Sequence, residues 1–173
     1  MMFRLNVPTR RGVVLNGVLF REEEKKSGDT VMIAITGIHG NFYSNPFYYN
    51  IGGTLNHANI DFVYAQTNDA FGQIETVNVN TGKPETIGSW NERFSYADED
   101  IMAYLAFAKK EGYEHIILAG HSLGANKVIY YLSHHHDPKV DHFFFAFSGE
   151  FNLHDVRRIS KRKTDDQKTG RAR

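Results

Sequence analysis

The chain has 173 residues, of which 41% are apolar and 13% aromatic, enough to bury the core of one ordinary domain. It contains no cysteine, which excludes disulfides, thiolate zinc sites and cysteine nucleophiles, so a serine must carry any covalent chemistry. The formal net charge is zero, and no apolar run approaches the roughly 20 residues of a membrane-spanning helix. We therefore expect a soluble, cytoplasmic protein that does not act in a membrane.

The charge is divided unevenly along the chain. Residues 1–150 hold 12 Lys/Arg against 17 Asp/Glu, whereas residues 151–173 hold 8 against 3. This change predicts a folded core over residues 1–150 and a basic, solvated and disordered tail over residues 151–173. A nucleic-acid-binding arm is the alternative interpretation of the tail. The tail lacks interleaved aromatic residues, so nucleic acid is not an expected partner.

The first part of the chain predicts a pair of strands, a buried strand, a helix and a further strand. These elements cover residues 3–7, 13–21, 30–36, 46–58 and 60–66. The first two runs are β-rich and separated by Pro8 and Gly12, which indicates an antiparallel pair at a sheet edge. The third run is almost continuously apolar, as is typical of a strand buried on both faces of a parallel sheet.

The second part predicts a long loop, a helix, a strand, another helix and a last strand. The loop covers residues 67–95 with room for a hairpin, and the strands cover residues 115–119 and 140–147. The final helix is expected to bury Val128, Ile129 and Leu132 on one side. Alternating strands and helices predict an α/β fold with a mostly parallel sheet and crossover helices. Three loop aromatics, Phe71, Trp90 and Phe94, are expected either to line an acyl or alcohol pocket or to anchor the loop.

The segment Gly120-His121-Ser122-Leu123-Gly124 fits the pattern Gly-x-Ser-x-Gly, and it lies where a buried strand must turn abruptly into a helix. Small residues are needed there because the strained serine backbone brings the helix close to its neighbours. The helix start behind Ser122 supplies N–H groups and a positive potential that favour an oxyanion. A glycine-rich turn without chemistry is the alternative, but the flanking strand and amphipathic helix favour a nucleophile elbow.

Residues 13–148 resemble the α/β-hydrolase superfamily, in this elbow and in the segment Gly37-Ile-His-Gly-Asn-Phe42 that follows the third strand. The resemblance implies a serine hydrolase that cleaves small-molecule carboxylic esters or related acyl bonds through an acyl-Ser122 intermediate, without a cofactor. It also implies that the backbone N–H groups of Asn41 and Leu123 bind the oxyanion. His39 and Gly40 belong to the same loop, and His39 is expected to order it by hydrogen bonding rather than to act as the base.

No metal site is expected in the histidine run His134-His135-His136. Consecutive helical positions point about 100° apart, so these side chains cannot converge on one ion. The run falls at the expected C-terminal end of a helix, where partly protonated imidazoles suit the helix dipole.

The catalytic acid and base are the weak part of the pattern, because in the resembled superfamily both follow the serine. Glu150 is a candidate acid or a surface carboxylate, and His154, the only histidine after Ser148, is the candidate base. We therefore expect an α/β-hydrolase fold truncated after the strand that follows the nucleophile helix. The alternative is a catalytically incomplete fragment or a non-enzymatic binding module. The cut sheet would leave an open edge near residues 143–147, which predicts self-association.

Overall fold

The computed structural model of the chain describes residues 1–23 and 28–146. Glu150, His154 and the predicted tail over residues 151–173 lie outside this range. Among the helices of the described residues, none combines the length and the apolar character needed to cross a membrane.

The elements predicted from the sequence are present in the predicted order. The strands are β1 (Met2–Pro8), β2 (Val14–Phe20), β3 (Thr30–Ile35), β4 (Ile60–Ala65), β5 (Ile74–Val77), β6 (Pro84–Ile87), β7 (His115–His121) and β8 (Val140–Ala146). The helices are α1 (Phe47–Asn56), α2 (Tyr96–Lys110) and α3 (Leu123–His134), with a 3₁₀ turn at Ser89–Asn91.

Six strands form one sheet in the order β1-β2-β4-β3-β7-β8. β1 pairs antiparallel with β2, and β2 pairs antiparallel with β4, whereas β4, β3, β7 and β8 run parallel to one another. The connections from β3 to β4, from β4 to β7 and from β7 to β8 each contain a helix. The predicted α/β fold, with a mostly parallel sheet and an antiparallel pair at its edge, is confirmed.

Apolar side chains cover both faces of this sheet. On one face, α2 and α3 pack over β3, where Val31, Ile33 and Ile35 are fully buried. On the other face, α1 packs over β4, with Tyr48 of α1 beside Phe62. Burial on both faces explains why the central strands are almost continuously apolar, and each buried Ile or Val contributes about 1.5–3 kcal/mol.

The buried face of α3 differs from the predicted one. Val128 is buried as expected, but Ile129 and Leu132 are only half-buried, and Tyr131 is buried instead. The reason lies at the first turn, where Gly124 presses against the backbone of β3. That contact fixes the rotation of the helix, so the buried stripe runs through positions 124, 128 and 131 at helical spacing.

The long loop over residues 67–95 contains an antiparallel hairpin, in which β5 pairs with β6 from Ile74 opposite Ile87. The turn of this hairpin docks on the turn between β1 and β2. Val79 N–H donates to the Gly12 carbonyl at 2.9 Å, and the Asn78 side-chain amide donates to the Arg11 carbonyl at 2.8 Å. These contacts join the hairpin to the antiparallel edge of the sheet.

Candidate active site

Ser122 occupies the single residue between the end of β7 and the start of α3. Its backbone has a φ of 55° and a ψ of −127°, a conformation that side-chain-bearing residues rarely adopt. Such a conformation costs on the order of 1–3 kcal/mol and persists only where the surroundings impose it. The side chain is partly exposed rather than buried in a regular helix. This is the strained turn that the Gly-x-Ser-x-Gly pattern predicts.

The two outer glycines of the motif leave no space for a side chain. A Cβ atom on Gly120 would lie 2.6 Å from the Ala125 Cα, and one on Gly124 would lie 2.2 Å from the Ile35 carbonyl oxygen. In both cases the obstructing atoms are backbone, which cannot move aside as a flexible side chain can. The glycines therefore let α3 start close against β7 and β3, which holds Ser122 at the carboxyl end of β7.

The loop that follows β3, residues 37–42, lies against the elbow. A Cβ atom on Gly37 would lie 2.9 Å from the Ser122 Cβ. Gly40 N–H closes the loop by donating to the Gly37 carbonyl at 2.9 Å. Within residues 1–23 and 28–146, the backbone N–H groups of Asn41 and Leu123 have no hydrogen-bond acceptor. Among the described residues, both N–H groups are therefore available to donate a hydrogen bond. They lie in the two segments where the oxyanion donors are expected.

The two histidines nearest in sequence to these segments contact other groups than Ser122. The His39 ring lies 3.3 Å from the Ser89 hydroxyl, and the His39 N–H donates to the Asp69 carbonyl at 3.1 Å. The His121 ring packs edge-on against Phe47, with 5.5 Å between the ring centroids. These contacts fit a structural role for His39 in ordering its loop.

Residues 1–23 and 28–146 supply no hydrogen-bonded acid or base to Ser122. In the part of the chain that is described, the Ser122 hydroxyl makes no hydrogen bond to any side chain. Glu150 and His154 lie outside the described residues and stay predictions. Among the described residues, the fold therefore brings Ser122 together with the loop of residues 37–42.

A buried charge cluster that the sequence did not predict lies beside the elbow. Lys127 of α3 is 2% exposed, and its Nζ lies 2.7 Å from Asp69 Oδ1, 3.2 Å from Glu92 Oε1 and 3.2 Å from the Thr67 hydroxyl. Burial raises the pKa of the Glu92 carboxyl, and the Lys127 ammonium partly offsets the rise. The available signal was the spacing, because Lys127 stands three residues after Gly124 and shares its inward-facing side of the helix.

A second buried carboxylate contacts the chain next to Asp69. Asp100 of α2 is 1% exposed and accepts hydrogen bonds from the Arg11 guanidinium and from the Asn68 N–H, each at 2.8 Å. Burial raises the pKa of the Asp100 carboxyl, while these two donors oppose the rise. Asp100 thereby links residue 68 to residue 11.

A cavity of about 220 Å³ lies between β2, residues 66–71 and the hairpin. Phe71 is among its lining residues, and no residue of the elbow is. Phe94 instead packs against the Tyr130 ring, and Trp90 is 75% exposed. Of the three loop aromatics, Phe71 thus lines a cavity and Phe94 anchors the loop.

The histidine run at the end of α3 makes contacts within the protein. His134 Nδ1 lies 2.8 Å from the Tyr130 carbonyl oxygen, and His135 Nε2 lies 3.2 Å from an Asp98 carboxylate oxygen. The described residues contain no group of three or more His, Asp or Glu side chains arranged to hold a metal ion.

The solved structures with a similar fold include esterases and related hydrolases. Est1E from Butyrivibrio proteoclasticus is 19% identical with a TM-score of 0.55, and the match covers 76% of this chain and 45% of that one. The chain has an α/β-hydrolase fold. The esterase domain of a Rhodothermus marinus protein gives a TM-score of 0.57 at 14% identity, over 84% of this chain and 49% of that one.

The α/β hydrolase GrgF from Penicillium sp. sh18 gives a TM-score of 0.63 at 14% identity and covers 96% of this chain and 54% of its own. The chain thus spans about half the length of the α/β hydrolases that it matches. No family model matches the sequence, and no curated protein does. The likeness to hydrolases therefore holds at the level of the fold.

Proposed function

We propose that this chain carries the nucleophile part of a serine hydrolase that cleaves carboxylic esters, or related acyl bonds, of small molecules. The observation that supports this most is the backbone of Ser122, held at a φ of 55° between a strand and a helix. Strain of this kind persists where the surroundings impose it, and it is concentrated at active sites. The esterases among the structures with the same fold add support.

In the proposed reaction, the Ser122 oxygen attacks the acyl carbonyl carbon while a general base removes the hydroxyl proton. The carbonyl oxygen becomes an oxyanion, which the N–H groups of Leu123 and Asn41 stabilise. The intermediate collapses to acyl-Ser122, and the departing alcohol takes the proton from the base. Water then attacks the acyl-Ser122 ester and releases the carboxylic acid. Within this chain, His154 is the candidate base and Glu150 the candidate acid that orients it.

The direct test is labelling of the purified chain with a fluorophosphonate probe, which forms a covalent bond with activated serines. We expect one probe adduct by intact-mass measurement on the wild-type chain, and none on Ser122→Ala. Ser133→Ala is the matched control, because Ser133 is an exposed serine of α3, the helix that follows Ser122, and this variant should label like the wild type.

One observation favours a second candidate function, a hydrolase fold that serves as a binding module without catalysis. That observation is the Ser122 hydroxyl, which lacks a hydrogen-bonded base among the described residues. If circular dichroism shows a folded wild-type chain that remains unlabelled by the probe, this candidate replaces the enzymatic one. Turnover of a short-chain nitrophenyl ester that is lost in Ser122→Ala would exclude it.

A further inference from the structure

The loop of residues 37–42 rests on one buried stretch of chain, residues 66–70, which we call the support segment. All five of its residues are buried. The loop donates three hydrogen bonds to it, from Phe42 N–H to Gln66 Oε1 at 2.7 Å, from His39 N–H to the Asp69 carbonyl at 3.1 Å and from the Asn41 side-chain amide to the Ala70 carbonyl at 3.3 Å. The position of Asn41, the proposed oxyanion donor, therefore depends on where the support segment lies.

The support segment is held in turn by a lysine from the nucleophile helix. Lys127 Nζ reaches Asp69 Oδ1 at 2.7 Å and the Thr67 hydroxyl at 3.2 Å, and both acceptors belong to the segment. Glu92 approaches the same ammonium at 3.2 Å from outside the segment. Asp69 is completely buried, and its second oxygen, Oδ2, accepts no hydrogen bond from the described part of the chain. Lys127 is consequently the cation that compensates the buried Asp69 charge.

A buried ion pair is an inefficient way to stabilise a fold, because apolar residues of similar volume are often as stable in its place. What the pair supplies is a fixed geometry, since a short charge-assisted hydrogen bond fixes the distance between its two side chains. One end is Lys127, which lies five residues after Ser122 on α3. The other end is Asp69, whose carbonyl oxygen holds the His39 N–H.

We propose that Lys127 is a positioning residue, which fixes the support segment and thereby the loop of residues 37–42 relative to Ser122. Ser122 and Asn41 come from segments far apart in the chain. The Lys127 contacts attach the segment that holds Asn41 to α3, the helix that begins directly after Ser122. This inference rests on the proposed function, because the placement of the loop affects chemistry only where Ser122 is the nucleophile.

The test compares Lys127→Met with Arg21→Met by hydrogen–deuterium exchange and mass spectrometry. Arg21 is a matched control because it is also a buried cation, 5% exposed, with its Nε 3.4 Å from the buried Asp61. Asp61 lies near the start of β4, whereas the support segment follows the end of that strand. In Lys127→Met we expect the peptide over residues 37–42 to exchange about tenfold faster, with residues 30–35 unchanged. Arg21→Met should leave residues 37–42 at the wild-type rate.

Two further variants cover the case in which Lys127→Met does not fold. Thr67→Val removes the hydroxyl that contacts both Lys127 and Asp69, and it should speed exchange in residues 37–42 in the same direction by a smaller factor. Lys127→Arg keeps the charge and should restore protection. Unchanged exchange of residues 37–42 in folded Thr67→Val overturns the inference, as does an increase in Lys127→Met that extends equally over β3.

The exchange measurement needs no activity, so the two proposals fail separately. If the wild-type chain reacts with the fluorophosphonate, Lys127→Met should slow labelling about tenfold while Arg21→Met does not. If the wild-type chain does not react, the proposed function fails, and the exchange rates still decide whether Lys127 holds the loop. Labelling at the wild-type rate in folded Lys127→Met would overturn the positioning role.

Discussion

Ser122 has close neighbours that are glycines, and the missing Cβ atoms leave room for its side chain. Gly37 approaches from the loop after β3, and an added methyl there would meet the Ser122 Cβ at 2.9 Å and the His121 carbonyl oxygen at 3.2 Å. Gly53, in the exposed part of α1, has no atom within 4 Å of an added Cβ. The same Gly→Ala substitution should therefore disturb the surroundings of Ser122 at position 37 and leave them unchanged at position 53.

We expect Gly37→Ala to slow fluorophosphonate labelling of Ser122 about tenfold, because the methyl group displaces either the serine or the loop. Gly53→Ala should leave labelling unchanged and raise the free energy of unfolding by about 0.5–1 kcal/mol, since alanine suits a helix better than glycine. Labelling kinetics and urea unfolding measure the two effects. A Gly37→Ala chain that labels at the wild-type rate would contradict the close approach.

Tyr48 offers a test of pH dependence at a single residue. Burial raises the pKa of its hydroxyl from 10.0 to about 12, and that hydroxyl has no hydrogen-bond partner among the described residues. Between pH 10 and 12 the unfolded chain ionises this tyrosine while the folded chain keeps it neutral, so stability falls as the pH rises. At pH 11 this loss amounts to about 1.4 kcal/mol, the equivalent of one pKa unit.

Tyr48→Phe should remove that loss. At pH 7 the variant should be as stable as the wild type or slightly more so, because an unpaired buried hydroxyl is absent. At pH 11 it should exceed the wild type by about 1.4 kcal/mol more than at pH 7. Urea unfolding at the two pH values measures both differences. An equal difference at pH 7 and pH 11 would show that Tyr48 does not resist ionisation in the folded chain.

At the residue scale, the sequence was sufficient for the elbow and insufficient for Lys127. Ser122 and its glycines follow one another in the chain, so their pattern is visible without the fold. The burial of Lys127 depends on partners that only the fold brings near, such as Thr67, which is 60 positions away. A lysine in a helix is ordinarily exposed, and the spacing from Gly124 is the one local sign that Lys127 faces inward.

The packing of α3 on β3 is decided by Gly124 rather than by apolar side chains alone. A methyl group at this position would lie 2.2 Å from the Ile35 carbonyl oxygen, so the helix must move away from the strand. We expect Gly124→Ala to lower the free energy of unfolding by about 1–3 kcal/mol, as overpacking does elsewhere.

Asn126→Ala is the control for this substitution, because Asn126 is exposed in the same helix. Its free energy of unfolding should stay within about 0.5 kcal/mol of the wild type. Urea midpoints for the two variants give the comparison. Equal midpoints would mean that the first turn of α3 does not touch β3 as closely as described.

Element prediction succeeded where the pattern is local and was incomplete where contacts between distant segments decide. The periodicities of β3, β4, β7 and α2 sufficed to locate these elements. The buried face of α3 was displaced by the Gly124 contact with β3. The docking of the hairpin on Gly12 was not predictable, because the two turns are far apart in the chain.

At the scale of the whole molecule, the sheet ends at a strand with exposed aromatic side chains. In the described sheet, β8 pairs with β7 on one side and with no strand on the other. Phe143 and Phe144 of β8 are 46% and 59% exposed. An edge of this kind favours pairing with a second chain. We therefore propose that the chain self-associates through β8.

Phe144→Lys should shift the chain toward the monomer, because a lysine on an edge strand opposes pairing with a second copy. Val79→Lys is the control, since Val79 is 57% exposed in the hairpin turn, away from β8. Sedimentation velocity over a range of concentrations measures the association. A wild-type chain that is monomeric at every concentration would contradict the proposal.

The fold class and the strained turn at Ser122 were predictable because both depend on order along the chain. The acid and base were not, because their positions in such a fold depend on contacts between distant segments, and the candidates Glu150 and His154 lie outside the described residues. The chain also spans only about half the length of the α/β hydrolases that it matches.

The support segment is attached to both α2 and α3, so it cannot be exchanged separately from these helices in an engineered protein. Lys127, a residue of α3, contacts Asp69 in this segment. Asp100, a residue of α2, accepts a hydrogen bond from the Asn68 N–H. A chimera that imports the elbow from another protein, yet keeps the native chain after β4, would mismatch both attachments. The elbow helix, the loop of residues 37–42 and residues 66–70 should be transplanted together as one cassette. Random libraries are better directed at the tip of the hairpin, whose exposed residues carry none of these attachments.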